Sequence, residues 1–434
     1  MKRTIFHIDV NSAYLSWTAV EQLKNGTDVD IRTIPSIIGG DQKSRHGVVL
    51  AKSIPAKAYG IHTGEPVANA LRKCPVLQMF PPDHKMYHRK SEALMEYLSD
   101  FCPDIEQVSV DECYMDVTEI VHRYGTAVAL ARQIKDGVRE NFGFTVNVGI
   151  SENKLLAKMA SDFEKPDKIH TLFRQEISEK MWPLPLGKLF MAGHSSVEQL
   201  KKLEILTIGD LAKSDPELIT LQLKSHGRML WEFANGIDDS AVHPEQSLAK
   251  GIGNSTTLRE DITEEEAARR VLLRLAESVG ERLRKAGQIA GMVSVEIKYH
   301  TFQRVSHQKQ LEVPSSADDT IYQTACALFH ELWNGEAIRL LGIRTSKLKN
   351  EEEPRQISLF EFQTEMGNWQ KKMKNTQDRA GKNALPEKNE KEQKDAMEER
   401  RKKLSEAVDA IRKRYGRSAI TRGVFPEKEE KEDE

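Results

Sequence analysis

Two adjacent carboxylates, Asp111 and Glu112, lie between two short runs of strand-forming residues, and this arrangement constrains the chain more than any other feature. The runs are residues 108–110 and 113–117, and their β-prone side chains predict the two strands of a hairpin. Like charges at such a junction raise each other's pKa unless a cation neutralises them. Carboxylate oxygens suit Mg²⁺, which leaves positions open for water and for substrate phosphates.

A third carboxylate stands at the end of another predicted strand. Residues 4–8 form a β-like run that ends in Asp9, and a helix start follows a few residues later. Acids on neighbouring strands could hold two metal ions about 3.5–4 Å apart, on either side of an in-line displacement at phosphorus. The spacing alone is equally compatible with a simpler alternative, in which the acid pair is a solvated turn and Asp9 caps a helix.

Three blocks of sequence resemble the signature blocks of the Y-family translesion DNA polymerases, in the same order and spacing. They are residues 8–14 (IDVNSAY), 109–116 (SVDECYMD) and 153–166, which begins NKLLAK and ends in Lys165 and Pro166. The resemblance continues to about residue 360. It implies an α+β multidomain fold, namely a right-hand polymerase with a ferredoxin-like palm, small fingers, a helical thumb with a helix-hairpin-helix, and an α+β little finger.

The resemblance also implies how the chain is divided. The expected parts are a palm (1–25 and 75–182), fingers (26–74), a thumb (183–246), a linker (247–254), a little finger (255–350), a clamp-binding peptide (351–360), and a charged, partly disordered tail (361–434) with a helix near 398–415. In the thumb, Met191 stands where the helix-hairpin-helix usually has its first glycine. In the little finger, the candidate contacts to DNA phosphates are Arg304, Ser306, His307 and Lys309.

The resemblance assigns the central chemistry to the three carboxylates. Asp9, Asp111 and Glu112 are the implied catalytic residues and the ligands of two Mg²⁺ ions. The backbone carbonyl of Val10 is implied as a further metal ligand. Asn11 occupies a position that is often a second Asp in the family, but that residue is not one of the three metal carboxylates.

Two further residues are implied to contact the incoming nucleotide. Tyr14 would discriminate between sugars, because a ring next to the metal can stack on the sugar and leave no room for a 2′-hydroxyl. Lys165 would neutralise the triphosphate as the pyrophosphate leaves. Without the resemblance, Tyr14 is an ordinary core tyrosine and Lys165 a lysine that faces a helix C-terminus.

The predicted fingers contain Lys52 and Lys57 on a turn, where cations could meet a triphosphate. This run departs from one bacterial branch of the family, which has Thr, Tyr and Arg where this chain has Ala51, Ile54 and Lys57. It looks closer to a second branch. Only Lys57 is retained as a candidate nucleotide contact, and the alternative is a pair of lysines on a solvated loop.

A short peptide follows the predicted little finger. Gln356, Leu359 and Phe360 fit the Gln-x-x-Leu-Phe pattern by which bacterial polymerases dock on the sliding clamp. Two apolar anchors beside one polar side chain can fill a hydrophobic pocket on a partner. Such a short match also occurs by chance, and its place after a polymerase-like chain favours clamp docking.

The net charge of the chain is −2, with 64 basic and 66 acidic residues, which by itself argues against nucleic-acid binding. The acids are concentrated in 351–353 and 427–434, whereas 269–285 and 300–309 are basic or polar, so a local surface can still bind phosphates. No apolar run reaches the roughly 18 residues of a membrane span, and the four cysteines lack metal-site spacing. We therefore expect a cytoplasmic protein without a membrane segment.

One function is expected and two alternatives remain. The expected function is low-fidelity, template-directed DNA synthesis in translesion repair, by a monomer that uses primer-template DNA, deoxynucleoside triphosphates and the sliding clamp. A nucleotide cyclase has a similar palm but lacks a thumb and a clamp peptide. A non-catalytic clamp-binding accessory protein of the same fold would be expected to have lost the carboxylates, and all three are present here.

Overall fold

The structure is a computed structural model that describes residues 3–40, 47–244, 249–351, 390–416 and 419–420. The chain forms two compact units, Met1–Ser247 and Leu248–Glu434. The predicted clamp-binding residues Gln356, Leu359 and Phe360 lie outside the described residues. In the described part of the chain, no helix combines the length and apolar character needed to cross a membrane.

The first unit alternates strands and helices and then becomes entirely helical. Its elements are β1 (Ile5–Val10), α1 (Ala13–Lys24), β2 (Ser36–Gly39), β3 (Val49–Lys52), α2 (Ile54–Ala58), α3 (Val67–Lys73), β4 (Gln78–Phe80), α4 (His84–Ser99), β5 (Ile105–Gln107), β6 (Glu112–Asp116), α5 (Ala127–Phe142), β7 (Val146–Ser151), α6 (Lys154–Ser161), β8 (Ile169–Thr171), α7 (Ile177–Lys180), α8 (His194–Lys201), α9 (Ile208–Lys213) and α10 (Pro216–Ala234).

The main sheet of this unit has five strands in the order β5-β6-β1-β7-β8. The central strand β1 is antiparallel to β6 and β7, and β8 runs parallel to β7. Alternate residues of β1 point to opposite faces, so Phe6, Ile8 and Val10 enter the apolar core with Trp17 and Phe144. The other face of β1 is left for polar side chains, and this alternation is what places the site.

The hairpin that carries the acid pair differs from its prediction. Its first strand is Ile105–Gln107, and residues 108–110 belong to the connection. The Ser109 hydroxyl donates to the Asp111 carboxylate over 2.6 Å, and the Val108 amide donates to the Glu112 carbonyl over 3.0 Å. Such local bonds compete with ladder pairing, and they turn the chain immediately before Glu112, the first residue of β6.

Helix α6 crosses the polar face of the sheet at Gly149. A Cβ atom on this glycine would lie 2.0 Å from the Ala157 carbonyl oxygen and 2.5 Å from the Ser161 amide nitrogen. Only glycine lets the helix approach the strand so closely. The helix begins at Asn153, whose side chain accepts from the Leu156 amide.

Two smaller groups complete the first unit. A three-stranded sheet in the order β3-β2-β4 packs with α2 and α3 around the buried residues Ile37, Ile61 and Val67. Helices α7 to α10 share a separate core with α6. Just before α8, Met191 has a φ of 67° and is exposed, so this residue occupies the left-handed conformation that favours glycine.

The second unit is a four-stranded antiparallel sheet in the order β11-β10-β12-β9, with two helices packed on one face. Its elements are β9 (Gly251–Ile262), α11 (Glu265–Lys285), β10 (Gln288–Tyr299), β11 (Arg304–Ser315), α12 (Asp318–Leu332), β12 (Ile338–Asn350) and α13 (Glu390–Tyr415). Strand β9 begins inside the predicted linker 247–254, because residues 251–254 pair with β12.

The tail helix is longer than its prediction, since it begins at Glu390 instead of near residue 398. Its apolar residues Leu404 and Ile411 are exposed. The helix docks through polar groups. Asp409 pairs with Arg284 over 2.6 Å, and Arg412 pairs with Glu277 over 3.0 Å.

Candidate active site

The three acids come together on the polar face of the five-stranded sheet. Asp9 and Glu112 are direct cross-strand partners in the β1–β6 ladder. The Val10 amide donates to the Asp111 carbonyl over 2.9 Å, which holds Asp111 beside the end of β1. Burial raises the pKa of Asp111, and the charges of Asp9 and Glu112 raise it further, whereas the hydrogen bond from Ser109 lowers it. Negative charge is therefore in excess at this point.

Two lysines from α6 and the turn after it face these carboxylates. The Lys158 Nζ lies 2.6 Å from Glu112 Oε2 and 3.6 Å from Asp9 Oδ2. The Lys165 Nζ lies 3.1 Å from Asp9 Oδ1 and 2.8 Å from Asp162 Oδ1. Burial opposes the charge of Lys165, but Asp9 and Asp162 outweigh it and raise the pKa of Lys165. Both ammonium groups are therefore charged and sit where a cation is needed.

His7 lies two residues before Asp9 on β1, so the two side chains share a face of the strand, and His7 is next to Glu112. Its Nδ1 is 2.8 Å from the Ser161 hydroxyl, and its Nε2 is 3.4 Å from Glu112 Oε2. Burial lowers the pKa of this imidazole. The contact with His7 and the Lys158 ammonium lower the pKa of Glu112 to about 2, although burial alone would raise it. Glu112 is therefore ionised at any physiological pH.

Tyr14 lies on the first turn of α1, close to the acids. Its ring stacks on Tyr87 of α4 with centroids 4.2 Å apart and meets His84 edge-on at 5.8 Å. Burial raises the pKa of the Tyr14 phenol, and the charge of Asp111 contributes. The stack fixes the plane of the ring from one side, so Tyr14 is a half-buried wall beside the carboxylates.

The other predicted contacts belong to elements other than the five-stranded sheet and α6. Lys57 is in the last turn of α2, and no ion pair among the described residues joins it to the acids. In the second unit, Arg304 and Ser306 lie opposite Lys298 and Glu296, on the sheet face turned away from α11 and α12.

The four candidate phosphate donors are divided between the two faces of that sheet. His307 lies opposite the buried Val295 and reaches Glu331 of α12 at 3.4 Å. Lys309 lies opposite the buried Val293, on the same side as His307. Adjacent strand residues alternate between faces, so the four side chains cannot form one surface.

The donor chemistry of the acid cluster fits a hard divalent cation. The oxygens of Asp9, Asp111 and Glu112 suit magnesium. Burial, and then the neighbouring charges of Asp9 and Glu112, raise the pKa of Asp111, and a bound cation would counter both effects. Within the described residues, no three His, Cys, Asp or Glu side chains are already gathered in the geometry of a metal site. Glu112 and Asp9 are instead paired with the ammonium groups of Lys158 and Lys165.

Sequence reasoning missed two residues that surround the site, His7 and Asn147, and it gave Asn11 no role. His7, Asp9 and Asn11 recur every second residue, and this period places them on one face of β1 and its extension. Asn147 is a polar residue inside the apolar run 146–150 and lies opposite Asp9 on β7. His7 and Asn11 could have been linked to Asp9 from the two-residue strand period. Asn147 could have been noticed only as an exception in a buried strand.

The fold as a whole is that of the Y-family DNA polymerases. A Y-family DNA polymerase chimera of known structure matches with a TM-score of 0.68 and 22% identity, over 79% of this chain and 98% of that chain. At this identity the likeness shows the fold alone. It confirms the predicted right-hand architecture.

Two family models match the chain. The impB/mucB/samB family matches residues 8–162, and the C-terminal domain of the same family matches residues 249–359. The chain therefore belongs to the impB/mucB/samB family, which confirms the resemblance to Y-family polymerases. Family membership implies a divalent metal cofactor.

Curated relatives match most or all of the chain. The chain is 47% identical to DNA polymerase IV of Clostridium acetobutylicum over 431 residues, which are 99% of this chain and 100% of the relative. It is 35% identical to DNA polymerase IV 1 of Bacillus subtilis over 362 residues, which are 83% and 86% of the two chains. Both relatives are named DNA polymerase IV.

Proposed function

We propose that this chain is a template-directed DNA polymerase that copies damaged templates with low fidelity. The observation that carries the proposal is the geometry of Asp9, Asp111 and Glu112. They meet on one sheet face with the charged side chains of Lys158 and Lys165 above them. The names of the relatives and the family membership support the same function.

The reaction transfers a nucleotidyl group. The primer 3′-hydroxyl attacks the α-phosphate of a deoxynucleoside triphosphate, a new P–O bond forms, and the bond to pyrophosphate breaks. Two magnesium ions held by Asp9, Asp111, Glu112 and the Val10 carbonyl would supply activation of the hydroxyl and neutralisation of phosphate charge.

The residues of the chain supply positioning and charge. Glu112 stays ionised because its pKa is about 2, so it needs no proton loss before it binds a cation. Lys165 neutralises the triphosphate, and in the absence of nucleotide it rests on Asp9 and Asp162. Tyr14 closes the sugar side of the site. Lys57 of α2 is a further nucleotide contact in this proposal.

The proposal includes several partners. Primer-template DNA and deoxynucleoside triphosphates are the substrates, and the protein acts as a cytoplasmic monomer. The sliding clamp binds Gln356, Leu359 and Phe360, because this pattern follows the polymerase body in the sequence. The division into palm, fingers, thumb, little finger and tail is part of the same proposal.

A non-catalytic accessory protein is the remaining alternative, and nothing in the family comparison favours it. A protein that only bound the clamp would have no use for a half-buried acid cluster, since like charges held close together repel each other. A nucleotide cyclase is excluded by the match of the second family model to residues 249–359.

The test is primer extension by the purified chain on an undamaged and an abasic template with magnesium. The matched control is a variant with Asp111→Ala and Glu112→Ala. Extension past the abasic site by the parent alone is the expected result. Failure of the parent on both templates, with primer-template DNA still bound, would favour the accessory function.

The sugar-discrimination role of Tyr14 has its own test. Tyr14→Ala should raise the incorporation of ribonucleotides relative to deoxynucleotides by about tenfold or more, because the ring no longer blocks the 2′-hydroxyl. The variant Tyr87→Phe keeps the stack and should leave the ratio near that of the parent. An unchanged ratio in Tyr14→Ala would remove Tyr14 from this role.

The clamp peptide is tested separately. Replacement of Leu359 and Phe360 by Ala should leave synthesis without the clamp unchanged and abolish stimulation by the clamp. Stimulation equal to that of the parent would contradict clamp binding at this peptide.

A further inference from the structure

Two buried side-chain amides, Asn11 and Asn147, connect the sheet to the turn that follows α6. Asn147 is fully buried on β7 and lies opposite Asp9 in the β1–β7 ladder. Asn11 directly follows β1 and is 7% exposed. The Asn11 Nδ2 donates to the Asn147 Oδ1 over 3.1 Å, so the two amides form one unit.

Asn147 binds backbone groups on both sides of the turn. Its Nδ2 donates to the Ser161 carbonyl over 3.0 Å and to the Glu164 carbonyl over 2.7 Å. Its Oδ1 accepts from the Lys168 amide over 3.2 Å, in addition to the bond from Asn11. All donors and acceptors of this amide are used, and buried amides that are fully paired hold a fixed geometry.

Asn11 adds a further anchor. Its Oδ1 accepts from the Asp167 amide over 2.9 Å and from the Thr145 hydroxyl over 2.9 Å. The Asp167 carboxylate also pairs with Lys135 and Arg139 of α5. The Arg139 side chain is about half exposed, so its pair with Asp167 is weakened by salt, whereas the pair with the buried Lys135 is screened less. Both pairs act on the Asp167 side chain, whereas the amide bonds act on the backbone itself.

The anchored groups bracket Lys165. The carbonyl of Glu164 is held just before this lysine, and the amides of Asp167 and Lys168 are held just after it. The Lys165 side chain can therefore reach Asp9, where its Nζ lies 3.1 Å from the carboxylate. The amide pair touches no reacting atom, so any effect that it has on the reaction passes through this lysine.

We propose that Asn11 and Asn147 are a positioning pair that fixes Lys165 above Asp9 and thereby sets the affinity for the triphosphate of the incoming nucleotide. The inference rests on the proposed role of Lys165. It also implies that aspartate, often found at this position in the family, is the wrong residue at position 11 of this chain. A carboxylate there would face the Asn147 Oδ1 without a hydrogen to share.

Asn147 cannot turn its amide round to accommodate such a carboxylate. Its Nδ2 would then leave the Ser161 and Glu164 carbonyls, and its Oδ1 would leave the Lys168 amide. Three backbone groups would lose their partners at once. Asn11→Asp should therefore weaken nucleotide binding although it conserves shape and volume.

The experiment is a double-mutant cycle on nucleotide affinity with the full chain. The dissociation constant of the complementary deoxynucleoside triphosphate is measured on a dideoxy-terminated primer-template with Mg²⁺. Lys165→Ala and Asn147→Ala should each raise this constant about tenfold, the loss expected for one charge-assisted contact. The dissociation constant of the double variant should also be only about tenfold above that of the parent, because both changes remove the same contact.

A second measurement follows the turn directly. Hydrogen exchange of the Asp167 and Lys168 amides should be about tenfold faster in Asn147→Ala than in the parent. Where Asn147→Ala does not fold, Asn11→Ala serves in its place, because it removes only the bonds to Asp167, Thr145 and Asn147. The control is Ser151→Ala, which removes a buried bond to the Leu172 carbonyl from the same strand. It should change neither measurement.

Each contrary result has a distinct meaning. A roughly hundredfold rise in the double variant would show that Asn147 acts independently of Lys165 and would overturn the inference. An unchanged constant in Lys165→Ala would overturn it too, by removing Lys165 from the nucleotide site. Primer extension by the parent in the same preparation would show that the polymerase function itself stands.

Discussion

Gly149 is the point at which the fold and the candidate site depend on a single missing methyl group. In Gly149→Ala the new Cβ would lie 2.0 Å from the Ala157 carbonyl oxygen and 2.5 Å from the Ser161 amide nitrogen. Both atoms belong to the backbone of α6, so no side chain can rotate away. The helix must move by about 1 Å before the shorter contact reaches the 3.0 Å below which real Cβ contacts essentially never occur.

The expected cost follows from this geometry. Overpacking of a core costs about 1–3 kcal/mol, and a clash with hydrogen-bonded backbone on two atoms belongs at about 3 kcal/mol. For a unit of this size, 1 kcal/mol corresponds to about 2–4 °C, so the melting temperature of the first unit should fall by about 6–12 °C. The displaced helix also carries Lys158 away from Glu112, and primer extension should weaken with it.

Differential scanning calorimetry of the full chain measures the effect. The control is Gly187→Ala in the same unit, where a Cβ would meet only Val197 Cγ2 at an ordinary 3.9 Å. That variant should stay within about 1 kcal/mol of the parent. An unchanged melting temperature for Gly149→Ala would refute the claim that α6 is seated on the strand at this glycine.

Three further predictions concern other parts of the chain. Without metal, the free energy of unfolding should fall as the pH drops from 5 to 3, because Glu112 has a pKa of about 2 in the folded protein against an ordinary 4.5 and its stabilising effect is lost on protonation. Urea unfolding should show that the parent loses roughly 2 kcal/mol more over this pH range than Glu112→Gln does. Met191 has a left-handed backbone conformation, which costs a residue other than glycine about 1–2 kcal/mol. Met191→Gly removes this cost and should raise the melting temperature of the first unit by a few degrees, and a lower melting temperature in calorimetry would contradict this. Arg284→Met should destabilise the second unit by about 3 kcal/mol in thermal unfolding, because it takes the guanidinium from the buried carboxylate of Asp318, whereas Asp409→Asn should cost far less.

Much of the architecture could be predicted from local pattern and from resemblance. The apolar spacing of residues 126–140 predicts a helix, and α5 forms at Ala127–Phe142 with Thr126 as its N-cap. Its apolar stripe, which includes Leu130 and Ile134, lies in the core of the five-stranded sheet. Such a stripe depends on residues three and four positions apart, so it can be predicted from the local sequence.

Local pattern failed where polar contacts decide the outcome. The strand before the acid pair was placed at 108–110, because Val108 and Val110 are β-prone, but the hydrogen bond between Ser109 and Asp111 made that stretch a connection. The tail helix packs through the ion pairs of Asp409 and Arg412, which the apolar spacing of 398–415 does not reveal. Propensity does not count hydrogen bonds or ion pairs to distant partners.

The sequence by itself determined which chemical groups are available and which face of a strand they share. The two-residue period of β1 places His7, Asp9 and Asn11 together in any structure that forms this strand. The tertiary structure alone decided what they meet. The register of β1 against β6 and β7 sets Asp9 between Glu112 and Asn147. Those partners are more than a hundred residues away, and register and helix packing depend on the whole core, which no local pattern encodes.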